Sequence, residues 1–258
     1  MDDGWAVMRG IYRTMITQDI TVDNATELQE TGLPTWKRLL DFVLILALAP
    51  GLLLLAGIVA LVVLCGSRGP ILFRQLRIGY RGREYTCFKF RTMHVDAETD
   101  SHRAHATQLI KSETPMTKLD TCRDPRVIPF GACLRATGLD ELPQLLNVLR
   151  GEMSLVGPRP CIPYEYALYE PWQRRRFEAV PGLTGLWQVS GKNRTTFNQM
   201  IRLDIEYSER KSLWLDMVII LKTLPALLRQ CLETRVLKRK EAASSAAGME
   251  KPVQTYQL

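Results

Sequence analysis

Two adjacent carboxylates, Asp140 and Glu141, open the segment LDELPQLLNVLRGEMSLVGPRP, residues 139–160. Leu142, Leu145, Leu146 and Leu149 recur behind them at helical spacing, and Gly151 is a stop signal. The pattern predicts a short helix with Asp140 as its N-cap. Pro143 fits there because first-turn amides have no partner within the helix. Both carboxylates then sit at the positive end of the helix dipole, which favours their ionised form. An acidic pair at a helix start is ordinary capping when it stands alone. With cations and a Pro-rich turn elsewhere in the chain, the same pair suits a nucleophile or a metal ligand acting on a phosphate.

The cations are of two kinds. Lys89 and Arg91 alternate with Phe88, Phe90 and Met93, which on a strand places the charges on one face and the apolar groups on the other. An ordinary amphipathic strand would read alike; the sharper reading is phosphate binding. Arg159 lies between Pro158 and Pro160, whose rings restrict the backbone around a guanidinium fork suited to phosphate oxygens. Gln188, Lys192 and Asn193 surround Gly191 in WQVSGKN. They suit a nucleotide or a sugar as well as they suit a plain turn. Arg174, Arg175 and Arg176 read equally as head-group ligands or as a solvated charge run.

Positioning these groups falls to a few recognisable elements. Phe42 to Cys65 is a stretch of 24 residues without a charge. As a straight helix it would reach about 36 Å, enough to span a bilayer. Lys37 and Arg38 precede it and Arg68, Arg74, Arg77, Arg81 and Arg83 follow it, so basic flanks give no clean single-span orientation. Pro50-Gly51 near its middle predicts a kink. Phe73, Leu76 and Ile78, followed by Tyr85 to Phe90, read as a β-hairpin around Tyr80–Gly82. His94 to Lys118 reads as polar helix. Trp214 to Leu228 is apolar but carries Asp216 and Lys222, each costing about 2.5–3.5 kcal/mol at a membrane centre. It is therefore expected to lie at the interface or against the domain.

The 258 residues carry a net charge of +7, although residues 1–34 are themselves acidic. A basic body fits phosphorylated substrates, anionic lipid or nucleic acid, and the apolar stretch favours the membrane. The six cysteines form no CxxC pair, and His94, His102 and His105 follow no zinc pattern, so reduced thiols are expected. The chain is expected to divide into a polar leader (1–35), a membrane-inserted helix broken at Pro50 (36–66), a main domain carrying the candidate site (67–235) and a disordered tail (236–258).

Five stretches in order, KRLLDFVLILALAPGLLLL, FRQLRIGYRGREYTCFKFRTM, DPRVIPFGACLRATGLDELPQLLNVLRGEMSLVGPRP, PGLTGLWQVSGKN and LDIEYSERKSLWLDMVIILKT, resemble the bacterial sugar transferase family. Its members are monotopic phosphoglycosyl transferases, and the likeness is to the type that starts exopolysaccharide synthesis. The resemblance covers roughly Trp36 to Gln230. It implies transfer of a sugar-1-phosphate from a UDP-sugar to polyprenyl phosphate with release of UMP. It implies Asp140 as the attacking carboxylate and a Mg²⁺ ligand, with Glu141 supporting the metal. It implies a re-entrant hairpin at Pro50, although Ala49 stands where many relatives have serine. Lys89, Arg91, Arg159, Gln188 and Asn193 become the candidate substrate ligands. Asp204 and Tyr207 match the family pattern without a role legible in the sequence.

The expected fold is α+β and mainly helical: a compact domain on the cytoplasmic face of the bacterial inner membrane, a small hairpin, one inserted helix and interfacial amphipathic helices. The expected partners are a UDP-sugar of galactose or glucose, polyprenyl phosphate and membrane lipid, with a homo-oligomer and downstream glycosyltransferases left open. Two other readings stand beside this one. A non-enzymatic, membrane-anchored basic protein would want a nucleic-acid module, and none is visible. A conventional glycosyltransferase releasing UDP would want a Gly-rich nucleotide fingerprint after a strand, and none appears.

Overall fold

The computed structural model describes residues 32–94, 107–110, 112, 114–116, 126–191 and 195–246. Most of the acidic leader, Asn193, Lys192, most of the stretch read as polar helix and the last residues of the tail lie outside the described residues. The fold is mostly helical with two small sheets.

Helix α1 (Thr35–Gly66) is helical throughout, Pro50 included, so the expected break is not an interruption of the helix. Its buried residues fall at its two ends: Lys37, Asp41 and Ile45 on one side, Val59 and Val63 on the other. Between them Leu46, Leu48, Leu53, Leu54 and Ile58 are exposed. The helix is long and apolar enough to cross a membrane, and an apolar face left exposed in this way is the kind that a membrane or a protein partner covers. The basic flank before it is not free for lipid. Lys37 is buried and pairs with Asp216, while Arg38 donates to the carbonyl oxygens of Val148 and Leu149.

Strands β1 (Leu72–Ile78) and β2 (Glu84–Phe90) form the expected antiparallel hairpin, closed by a turn at Tyr80–Gly82. The turn needs left-handed backbone at Arg81 (φ 52°) and Gly82 (φ 76°), and glycine supplies the second at no steric cost. Helix α2 (Gly131–Thr137) stops at Gly138. A 3₁₀ segment, Leu139–Gln144, follows and leads into α3 (Leu145–Arg150), which ends at Gly151 as read. The N-cap is therefore Gly138, not Asp140, and neither carboxylate caps the helix through its side chain. Leu145 and Leu149 pack on the core, Leu139 and Leu142 on a neighbouring cluster, and Leu146 remains exposed.

The remaining elements are β3 (Ser154–Val156), α4 (Pro163–Ala167), α5 (Pro171–Arg174), β4 (Gly182–Thr184), α6 (Leu186–Val189), α7 (Phe197–Arg210) and α8 (Leu213–Ala246). Helix α8 continues past residue 236, where the sequence reads as tail. Asp216, counted against membrane insertion, is fully buried against Lys37, while Trp214, Leu221, Leu224 and Leu228 point outward. Tyr207 of α7 completes this buried set: its hydroxyl accepts from Lys37 (2.8 Å) and lies 2.7 Å from Asp216 Oδ1 and 3.2 Å from the Val156 carbonyl. One polar cluster thus ties α1, β3, α7 and α8 together, which gives Tyr207 its structural role.

Candidate active site

Construction of the site begins at the free edge of β2. Asn147, fully buried on α3, donates to the Thr86 carbonyl (2.7 Å) and accepts from the Phe88 amide (3.2 Å). A side-chain amide here satisfies strand groups as a neighbouring peptide would, so the edge is closed without another strand. Glu152 accepts from the same Nδ2 at 2.6 Å. This docking sets β2 against the 3₁₀ segment, and Lys89 Nζ reaches Glu141 Oε1 at 2.6 Å. The pair is part-exposed, so its value lies in placing charge more than in stability.

Asp140 beside it is 8% exposed. Burial holds its carboxyl up to about 6, against the pull of Lys89 and with a push from Glu141. A carboxylate moved this far lies close to the range where it can change charge during a reaction.

Glu141 and Lys89 line a cleft together with Arg77, Cys87, Gln144, Arg159 and Gln188. Its far wall rests on close backbone contact. The parallel pair β3–β4 brings Ser154 opposite Gly182 and Val156 opposite Thr184. A Cβ on Gly182 would lie 2.0 Å from the Gly157 amide nitrogen, one on Gly157 2.3 Å from the Val180 carbonyl, and one on Gly185 2.2 Å from the Gly157 carbonyl. Only glycine fits at these three positions. The approach brings the Gly157–Pro160 turn, which carries Arg159, to the start of α6, which carries Gln188. Arg159 is exposed, with its guanidinium carbon 5.8 Å from the Trp187 ring centre. Gln188 Oε1 is buried and without a hydrogen-bond partner.

The turn is held from behind. Arg176, read as lipid-facing or solvated, is instead buried. It pairs with Asp204 and donates to the Arg159 carbonyl at 2.6 Å. Asp204 thereby acquires a role that its sequence position did not disclose. Arg175, by contrast, is exposed and meets Glu209 at 2.6 Å.

Of the sequence candidates, Glu141, Lys89, Arg159 and Gln188 line the cleft; Asp140 is buried next to Glu141, within the electrostatic reach of Lys89, and is not itself a lining residue. Arg91 goes elsewhere: it is 5% exposed and donates to the Ser67 carbonyl (2.8 Å) and the Arg68 carbonyl (3.0 Å) at the end of α1. A cation there satisfies carbonyls that a helix end leaves open. Arg77, Cys87 and Gln144 line the cleft and were missed. Arg77 and Cys87 face it through the hairpin register, and Gln144 follows Glu141 by one three-residue turn of the 3₁₀ segment; these signals emerge only once strand pairing and helix type are known. Arg77 donates to the Pro160 carbonyl at 3.0 Å.

Among the described residues, no three His, Cys, Asp or Glu side chains cluster as a metal cage. The donor set is two contiguous carboxylates, hard oxygens that suit Mg²⁺ when substrate phosphates complete the shell.

Known proteins share this chain's pattern across the whole region just described. An exopolysaccharide production protein, ExoY, of Sinorhizobium fredii is 39% identical over 188 residues, which is 73% of this chain and 81% of that protein. A UDP-glucose:undecaprenyl-phosphate glucose-1-phosphate transferase of Caulobacter vibrioides is 41% identical over 223 residues, 82% of this chain and 77% of the relative. The galactosyl transferase CpsE of Streptococcus agalactiae is 43% identical over 182 residues, 68% of this chain, but the match spans only 39% of that longer protein. The bacterial sugar transferase profile matches residues 33–230, from the start of α1 through the cleft and into α8, and the chain belongs to that family.

Proposed function

We propose that this protein transfers a hexose-1-phosphate from a UDP-sugar to polyprenyl phosphate, releasing UMP and starting the assembly of a surface polysaccharide. The observation that carries the reading is a buried, ionisable Asp140 adjoining the Lys89–Glu141 pair, which itself lines a cleft with Arg77 and Arg159. Relatives named for undecaprenyl-phosphate glucose and galactose transfer support it. Arg159 and Lys89 neutralise the diphosphate, and Gln144 and Gln188 offer amides to its polar groups. An Asp140 carboxylate oxygen attacks the phosphorus bearing the sugar. The bond from that phosphorus to the bridging oxygen breaks, and UMP leaves with the electron pair. A phosphate oxygen of the acceptor then attacks the same phosphorus and expels the Asp140 carboxylate, forming the polyprenyl diphosphate sugar. Mg²⁺, when bound by Asp140 and Glu141, would supply charge neutralisation at the phosphate oxygens.

Membrane placement follows from α1. Ile45 packs with Tyr85 and Val148, and Val63 with Phe90 and Ile128. These positions lie about 27 Å apart on a straight helix, close to the thickness of a hydrocarbon core. A crossing helix would carry them to opposite sides, yet both pack on the same domain. This supports a helix that enters and returns, with the domain on the cytoplasmic face where nucleotide sugars occur.

The deciding experiment is intact-mass analysis of enzyme mixed with UDP-sugar and no acceptor. A sugar-phosphate increment on the peptide containing Asp140, absent in Asp140→Asn and discharged by polyprenyl phosphate, is expected. A strict need for both substrates before any UMP appears, with no adduct, would leave direct transfer instead.

A further inference from the structure

Phe73 is a large apolar side chain left 47% exposed on the hairpin face that carries the site. It is directly opposite Lys89 in the register; Gln75 is opposite Cys87 and Arg77 opposite Tyr85. Opposed residues of an antiparallel pair share a face, with Cβ atoms about 4.5–5.5 Å apart. Since Arg77, Cys87 and Lys89 line the cleft, Phe73 lies on the same face, next to Lys89 across the strands. The chain reaches this point from the membrane helix. Ile71 packs on the cluster that holds Val59 and Val63 of α1, and Leu72 is opposite Phe90 of that same cluster. Three successive residues therefore lead from α1 to the cation.

An exposed phenyl ring across the strands from a cleft-lining lysine complements a ligand that is anionic at one point and apolar in the next unit. A nucleotide sugar has no such unit, because its phosphates are flanked by hydroxylated rings. We propose that Phe73 is the contact for the first isoprene units of the acceptor, whose phosphate takes the place beside Lys89 that the departing UMP vacates. The proposal rests on the reading above that the acceptor is a polyprenyl phosphate, and it commits to the acceptor chain over bilayer lipid because Phe73 shares the face of the cleft.

The test compares full-length wild type, Phe73→Ser and Phe73→Leu in detergent micelles. The acceptors are undecaprenyl phosphate and geranyl phosphate, which has two isoprene units. In Phe73→Ser the acceptor KM should rise about tenfold with either acceptor, the loss of one buried aromatic contact. The donor KM should stay within about twofold, and Phe73→Leu should keep most of the acceptor affinity because an apolar surface remains. Four outcomes would overturn the proposal: an unchanged acceptor KM, a donor KM that rises in parallel, a penalty that vanishes with geranyl phosphate, or a Leu variant as poor as the Ser variant. Vesicle flotation without polyprenyl phosphate adds one more, since a Phe73→Ser protein that no longer binds lipid would make Phe73 a bilayer anchor. A wild type that charges neither acceptor would defeat the proposed reaction itself, a result distinguishable from any behaviour of the Phe73 variants.

Discussion

Asp140 is a carboxyl poised by its surroundings. Burial holds it up to about 6, and Lys89 is the largest opposing influence. In the proposed reaction Asp140 attacks in its ionised form, so kcat/KM for the donor should rise about tenfold per pH unit below about 6 and level off above it. Removing Lys89 removes a charge that favours the carboxylate. In Lys89→Met the inflection should therefore move to higher pH while the plateau falls; an inflection that stays in place would separate Lys89 from Asp140. Arg159 makes a different point. Arg159→Lys keeps the charge but loses the planar fork, and a roughly 10²-fold fall in kcat/KM with an unchanged melting temperature is the expected result. Turnover near wild type would take Arg159 out of the donor site.

Strand and helix contacts decide whether those side chains meet. The β3–β4 pair is close because Gly157, Gly182 and Gly185 have no Cβ. Gly182→Ala forces the strands apart, and a loss of about 1–3 kcal/mol or more is expected in thermal unfolding, together with weakened donor binding as the Arg159 turn shifts. Behind that turn, Arg176 and Asp204 are a fully buried pair. Removing one partner leaves an uncompensated charge, so Arg176→Met should cost about 3–5 kcal/mol. The double variant Arg176→Met/Asp204→Leu should recover much of that loss. If the double variant melts as low as the single, the pair's contribution is the packing of the arginine stem and not charge balance.

The whole molecule is organised around α1, whose two ends are joined to the domain by different chemistry. At its start, Lys37, Tyr207 and Asp216 form one buried polar cluster, and at its end Arg91 holds the carbonyls of Ser67 and Arg68. Both ends should then face the same compartment. Single cysteines placed at Thr35 and at Arg68, both exposed, should react with a membrane-impermeant maleimide only after the cytoplasmic side is opened. Labelling of one of the two from outside intact cells would replace the returning helix with a crossing one.

The sequence by itself determined much of the local structure and singled out the candidate reacting groups. Hairpin strands, the stop at Gly151 and the long apolar helix follow from periodicity and from glycine's backbone freedom, which act over a few residues. Asp140, Glu141, Lys89 and Arg159 were legible because charged groups beside apolar runs and fixed turns stand out in one dimension. Only the tertiary structure decided which cations serve the cleft. Arg91 and Arg176 carry the same guanidinium as Arg159, but one satisfies the end of α1 and the other supports a turn from behind. Arg77 and Gln144 enter the cleft through register and helix type. Asp216 and Lys37, which read as a membrane penalty and a basic flank, neutralise each other in the interior. Partner choice among like charges depends on contacts between residues as far apart as α1 and α8, and such contacts leave no trace in local spacing.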